Sequence, residues 1–222
     1  MAKSIGIIMA GGIGSRFKGD KPKQYYLIDG NEMIYYSIKA FKEATSIDDF
    51  VVVLDHGEYE NGRIADKYGV KTIEGGSTRN HSLKNALDYI AENYPNCEKI
   101  IENNAACPMI TDKVINDIID LLDDNDYVQC TYKITDALGS YVNSVVDRED
   151  YFLIQSPDAY RFQLLYKSFD PESPIGHPAV QLPESAKGYN YFDFIPNYKV
   201  TYPEDIQVIE TLFRIREQNN KK

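Results

Sequence analysis

The first apolar run of the chain, Ser4–Met9, ends in Ala10-Gly11-Gly12-Ile13-Gly14-Ser15-Arg16. An apolar run of that length, stopped by glycines, predicts a strand buried on both faces with a tight loop leaving its carboxyl end. Strands buried on both faces belong to parallel sheets covered by helices. The chain as far as residue 132 agrees. Met33–Ala44 carries Ile34, Ile38 and Phe41 at helical spacing, Phe50–Leu54 reads as a buried strand, and Val70–Ile73 as a short one. Thr78–Ile90 has Leu83, Leu87 and Ile90 on one helical face. Lys99–Glu102 predicts a strand, Thr111–Leu122 a helix and Tyr127–Tyr132 a strand. This alternation predicts a single α/β domain over residues 1–222, a doubly wound, mostly parallel, Rossmann-like sheet. After residue 133 the pattern breaks. Ser140–Val146 and Tyr151–Ile154 read as short strands flanking Asp147-Arg148-Glu149-Asp150, a projecting β-arm over residues 133–155. Such an edge wants a partner. A final helix is expected near Pro203, with Ile206, Ile209 and Leu212 or Phe213 as its stripe and a frayed tail at Asn219–Lys222.

Charge then narrows the function. Lys plus Arg number 24 against 34 Asp plus Glu, a formal net charge of −10, which argues against nucleic acid or an anionic membrane as a partner. The distribution is uneven. Residues 1–25 hold Lys3, Arg16, Lys18, Lys21 and Lys23 against Asp20 alone, so positive charge gathers around the glycine-rich loop. No apolar run reaches the roughly 18 residues of a membrane span, and no signal-peptide layout is seen. Cys97, Cys107 and Cys130 are widely spaced and form no zinc pattern with the three histidines. A reducing, cytoplasmic setting is expected.

A glycine-rich loop at the carboxyl edge of a parallel sheet lets backbone N–H groups approach phosphate oxygens. Arg16, Lys21 and Lys23 would supply fixed charge for a polyphosphate of roughly −4. Two familiar loops are excluded. No Gly-Lys-Ser/Thr ends this one, as a P-loop requires, and Phe17 stands where a dinucleotide loop needs its third glycine.

Five segments in order resemble the 2-C-methyl-D-erythritol 4-phosphate cytidylyltransferase family, which includes ribitol-5-phosphate cytidylyltransferases. They are residues 10–25 (AGGIGSRFKGDKPKQY), Gly75-Gly76-Ser77-Thr78-Arg79-Asn80-His81-Ser82, Asn104-Ala105-Ala106-Cys107-Pro108, the stretch from Asp136 through Val146-Asp147-Arg148 to Gln155-Ser156-Pro157-Asp158, and Tyr198 to Asp205 (YKVTYPED). The resemblance implies a nucleotidyltransferase fold, homodimerisation through the β-arm, and CMP transfer from CTP to a phosphorylated polyol with divalent magnesium. It implies that Ala10, Gly11, Gly12 and Gly14 bind the nucleotide phosphates and that Arg16, Lys23 and Lys199 are catalytic. It further implies that Gly76, Arg79 and Ser82 read cytosine and ribose. Asn104, Cys107, Asp136 and Arg148 would meet the acceptor, with Arg148 reaching the partner's site and Asn104 at the metal position.

The departures from the family pattern cluster on the acceptor side. Asn104 stands for the aspartate of the DAARP motif and Cys107 for its arginine, while Ala137 stands for a threonine and Gly176-His177-Pro178 for a TDEAS-like stretch. An amide brings no charge to a cation, and a thiol removes a cationic phosphate contact. Glu102 or Asp136 could compensate, and His177 could join a rebuilt pocket. The expectation is therefore a ribitol- or glycerol-phosphate acceptor serving a cell-surface polymer. Methylerythritol phosphate, as in isoprenoid synthesis, is the first alternative, and a catalytically silent nucleotide-binding homologue the second.

Overall fold

In a computed structural model, which describes residues 3–220, the first apolar run forms β1 (Ser4–Ala10), buried along its whole length. A long loop leads to the small hairpin of β2 (Leu27–Ile28) and β3 (Asn31–Glu32), and then to α1 (Met33–Glu43). β4 (Asp49–Leu54), α2 (His56–Asn61), α3 (Arg63–Tyr68), β5 (Lys71–Glu74), α4 (Arg79–Asn93), β6 (Lys99–Asn104) and α5 (Asp112–Leu121) complete the parallel half. β7 (Tyr127–Lys133), β8 (Phe152–Arg161), α6 (Phe162–Ser168), β9 (Gly188–Tyr191) and α7 (Asp205–Asn220) follow.

The main sheet has the order β5-β4-β1-β6-β8-β7-β9. All neighbours pair in parallel except β8, which runs antiparallel to both β6 and β7. Period-2 alternation splits each central strand between two cores. Ile8, Ala10, Val52 and Leu54 face α1 and α5, while Ile5, Ile7, Met9, Val51 and Val53 face α4 and α6. The doubly wound, mostly parallel sheet expected from the alternation is thus the observed one. The chain winds from β1 outward to β4 and β5, then returns to β6 on the other flank of β1. The carboxyl ends of β1 and β6 therefore flank the switch point, where sheets of this kind form a ligand crevice.

A third, smaller core joins Phe17, Ile28, Met33, Ala106, Met109, Val200 and Ile209, with Ile206, Leu212 and Phe213 of α7 packed on it. Phe17 is 2% exposed, a burial worth roughly 2–3 kcal/mol, so the long loop after β1 is anchored at its middle. Asp205 opens α7, its carboxylate accepting from the Thr201 and Tyr202 N–H groups at 2.7 and 2.8 Å. Of the expected frayed tail, α7 includes Asn219 and Asn220, and Lys221–Lys222 lie outside the described residues.

The expected arm is corrected in detail. Ser140–Val146 is not a strand. β7 and β8 pair as an antiparallel ribbon, and residues 134–151 connect them as an exposed loop. The Ser140 hydroxyl accepts from the Val142 and Asn143 N–H groups, which favours a turn over a ladder, and no strand among the described residues lies alongside. Asp147 caps a single 3-10 turn at Arg148–Asp150. Tyr151–Ile154 is expected as a short strand, yet β8 continues to Arg161, because its second half is sandwiched between β6 and β7.

Candidate active site

A cleft of about 660 Å³ opens at the carboxyl ends of β1, β4, β5 and β6. Its floor is the glycine-rich loop. Gly14 takes φ +70°, a conformation L side chains rarely adopt, and its carbonyl accepts from the Phe17 N–H at 2.8 Å. The buried Gln24 side chain holds the loop from behind, its amide nitrogen donating to the carbonyls of Ala10 at 2.5 Å and Gly12 at 3.1 Å. With Gln24 on these carbonyls, the loop's shape is set before any ligand arrives.

Three cations meet over this floor. Arg16 rides on the loop, Lys23 sits on the 3-10 turn Lys23–Tyr25, and Lys199 comes from the far end of the chain. Lys199 reaches the cleft because Val200, fully buried in the third core, donates its N–H to the Ala106 carbonyl at 2.8 Å. The Lys23 ammonium donates to the Val200 carbonyl at 2.7 Å. Burial lowers the Lys23 pKa, Lys199 and to a smaller degree Arg16 push it the same way, and Cys107 and Asp205 oppose the shift. An ammonium so crowded by other cations is an electrostatic site that gains from an anion.

The opposite wall is the turn from β5 into α4. The Gly75 N–H donates to the Leu54 carbonyl at 2.7 Å. A Cβ at Gly76 would lie 2.4 Å from the His81 Cβ, so only glycine lets the chain pass there. Thr78 caps α4, accepting from the His81 N–H at 3.1 Å. The Ser82 hydroxyl accepts from the Gly76 N–H at 3.0 Å and donates to the Thr78 carbonyl at 2.8 Å. Expected to read the nucleoside, Ser82 is therefore already occupied in shaping the loop that faces it. Arg79 lines the cleft with both terminal nitrogens engaged, one by Glu102 at 2.6 Å and one by the Gly176 carbonyl at 2.7 Å.

The structure thus brings together Ala10, Gly11, Gly12, Gly14, Arg16, Lys23, Gly76, Arg79, Ser82, Asn104 and Lys199. It leaves three expected acceptor residues outside the cleft lining. Cys107 is buried beneath the cleft, and burial pushes its thiol up to about 12, against the pull of Lys199 and Lys23. It presents no surface to a substrate. Asp136 and Arg148 lie on the exposed loop 134–151, where the Arg148 guanidinium bonds the Thr135 carbonyl and Glu149.

At the expected metal position the cleft offers little charge. The Asn104 Oδ1 already accepts the Ala106 N–H at 2.9 Å, and its amide carries no charge. Among the described residues no group of three or more His, Cys, Asp or Glu side chains could hold a metal ion. Glu102, considered as a replacement ligand, instead pairs with Arg79, and Asp136 is not in the cleft. Any cation bound in the cleft would therefore rely on ligand oxygens more than on a cluster of carboxylates among the described residues.

Two residues with clear roles escape sequence reading. Gln24 lies inside a recognisable motif, but its grip on the loop depends on tertiary approach. Asp158 is buried on β8, and burial raises its carboxyl to about 6, with His177 opposing the shift. The one signal for such a network is an acid, Glu102, ending the apolar run of β6.

The sequence model of the 2-C-methyl-D-erythritol 4-phosphate cytidylyltransferases (IspD) matches residues 5–214. The chain belongs to this family. The 2-C-methyl-D-erythritol 4-phosphate cytidylyltransferase of Clostridium kluyveri is 30% identical, over 96% of this chain and 98% of its own. That of Clostridium novyi is 27% identical, over 96% and 97%. Among solved structures, 4-diphosphocytidyl-2C-methyl-D-erythritol synthase from Anaerococcus prevotii shares the fold, with a TM-score of 0.82 at 20% identity over 96% of each chain. The bifunctional IspDF of Campylobacter jejuni gives 0.79 at 23% identity, over 92% of this chain and 53% of that one. The protein is accordingly an enzyme, a nucleotidyltransferase of the cytidylyltransferase type. These relatives are named for methylerythritol phosphate. The expectation of a ribitol- or glycerol-phosphate acceptor, and of a role in a surface polymer, finds no support in them. No helix among the described residues is long and apolar enough to cross a membrane.

Proposed function

We propose that this cytidylyltransferase transfers CMP from CTP to 2-C-methyl-D-erythritol 4-phosphate, releasing pyrophosphate, in the cytoplasm. The observation that carries the reading is the convergence of Arg16, Lys23 and Lys199 over a glycine loop whose backbone is held open by Gln24. An oxygen of the acceptor phosphate forms a bond to the α-phosphorus of CTP while the bond to the leaving pyrophosphate oxygen breaks in line. Such a transfer needs positioning and cationic stabilisation more than a base. In this reading the loop N–H groups and Gly76 seat the nucleotide, and Arg16 and Lys23 take up charge on the leaving pyrophosphate. Lys199 holds the α-phosphate side. A magnesium requirement stays part of the proposal, with the cation carried as the counter-ion of the triphosphate and no residue of this chain assigned to it.

The acceptor side is completed in this reading by a second copy of the chain. The loop between β7 and β8 exposes Tyr141, Val142 and Val145 almost fully, and exposed Phe152, Leu153 and Ile154 continue the apolar surface onto β8. An apolar projection of this size favours an interface, and Arg148 on it would then serve the partner's site. A second reading, a different phosphorylated polyol as acceptor, is favoured by one observation: the burial of Cys107 where the family motif carries an arginine.

Pyrophosphate release with CTP and a panel of methylerythritol, ribitol and glycerol phosphates tests both. Turnover with methylerythritol phosphate is expected. Turnover with another polyol phosphate alone would replace the first reading by the second. CTP binding with no turnover on any acceptor would make the protein a silent homologue.

A further inference from the structure

β6 runs apolar through Ile100 and Ile101 and then places Glu102 at 2% exposure. Its register partner on β8 is Asp158, itself 4% exposed, so two carboxylates are buried on neighbouring strands. Burying one charge is costly and burying two of the same sign more so, unless each is paired. Arg79 answers the first, its Nη2 lying 2.6 Å from Glu102 Oε1. His177 faces the second less closely, with Nε2 3.5 Å from Asp158 Oδ2 and neither ring nitrogen hydrogen-bonded. The second oxygens, Glu102 Oε2 and Asp158 Oδ1, have no hydrogen-bond partner. A hydrophobic pair at 102 and 158 would hold the sheet at lower cost, so this arrangement asks for a reason other than stability.

The reason lies at the other end of Arg79. Its side chain is two-fifths exposed and lines the cleft, at the first residue of α4 and directly after the Gly75–Thr78 turn. Its Nη1 donates to the Gly176 carbonyl, one residue before His177. The loop carrying that carbonyl is held by the next residue of α4 as well, the Asn80 amide donating to the carbonyls of Ser173 at 2.9 Å and Ile175 at 3.1 Å. A freely rotating arginine loses side-chain entropy each time it meets a ligand, whereas one clamped at both terminal nitrogens presents a fixed face.

We propose that Glu102 is a positioning residue that, by holding Arg79 against Gly176, sets the nucleotide wall of the cleft. This rests on the reading of the cleft as a CTP site. Asn80 acts beside it by holding the loop that supplies the Gly176 carbonyl.

The test is Glu102→Gln, which keeps size and one acceptor oxygen but removes the charge. CTP binding by titration calorimetry and steady-state kinetics on the full chain are read together. The dissociation constant and KM for CTP are expected to rise about tenfold while kcat stays within about twofold, the signature of lost uniform binding. In an Arg79→Ala background, Glu102→Gln is expected to add less than about twofold, since its effect passes through Arg79. A folded Glu102→Gln protein with unchanged CTP affinity, or additive effects of the two substitutions, overturns the inference. Should Glu102→Gln fail to fold, Glu102→Asp keeps the charge and shortens the reach. It is expected to weaken CTP binding, and unchanged binding overturns the inference equally. Wild-type protein that binds no CTP would overturn the functional reading itself, and this inference with it.

Discussion

The two sides of the cleft are built differently. On the side proposed to hold the nucleotide, each loop leaves the end of a parallel strand and is fixed within a few residues of that strand. Gln24 holds Ala10 and Gly12, and Ser82 holds Gly76. Of the residues expected to meet the acceptor, Asn104 alone reaches the cleft, Cys107 is buried, and Asp136 and Arg148 sit on an exposed loop. A phosphate site can be made largely from local backbone and nearby cations, with Lys199 here brought in from the far end of the chain. A pocket for a polyol must be assembled from distant segments, and here a second chain is the proposed source of one of them.

The largest expected effect falls on the nucleotide side. Lys23→Ala should lower the rate of pyrophosphate release by roughly 10²–10³, with an unchanged circular dichroism spectrum. Full activity in this variant would break the contrast, because the cation cluster would then be decoration.

The next concerns the charged network beneath the cleft. The Asp158 carboxyl, raised to about 6 by burial, keeps its proton in the folded state after the unfolded chain has lost it. Stability should therefore fall as pH rises from about 4 through about 6, by up to about 3 kcal/mol, and stay reduced above that window. Asp158→Asn removes this dependence. In urea melts at pH 4.5 and 7.5, its stability relative to wild type should improve at the higher pH. Parallel behaviour at both would show the carboxylate to be solvated or better paired.

On the acceptor side, Arg148→Ala should raise the acceptor KM about tenfold and leave the CTP KM unchanged, as expected for loss of one charged phosphate contact. A matching change in the CTP KM would blur the two sides into one. The smallest effect is at Cys107. With its thiol pushed up to about 12 and buried, it should resist a thiol reagent at pH 7.5 until the protein is unfolded. Rapid labelling of the native protein, read by mass spectrometry, would mean that the acceptor side opens to solvent.

Much of the fold could be read from the chain because its parallel half is locally encoded. Apolar runs at β1 and β4, helical periods at α1, α4 and α5, and glycines at the turns all point to one arrangement. Reading failed where pairing is non-local. The antiparallel insertion of β8 between β6 and β7 leaves no periodic mark, since Phe152–Arg161 is exposed at one end and buried at the other. The loop over 140–146 has strand-like side chains, but the Ser140 hydroxyl competes for its backbone. Of the site, the glycine loop, Lys23 and the Gly75–Ser82 turn were visible as motifs. The partners of Arg79 were not, because Glu102 and Gly176 lie 23 and 97 residues away.

The sequence alone determined the doubly wound sheet, the glycine loop at its carboxyl edge and the family, because strand burial, turn chemistry and motif order are properties of neighbouring residues. Only the tertiary structure decided what those residues do with their hydrogen bonds. Ser82 and Gln24 shape backbone, Cys107 is sealed in the core, Asn104 accepts the Ala106 N–H, and Arg79 is held by a buried acid. A side chain's chemistry is written in its identity, but the partner that occupies it is set by packing between segments far apart in the chain.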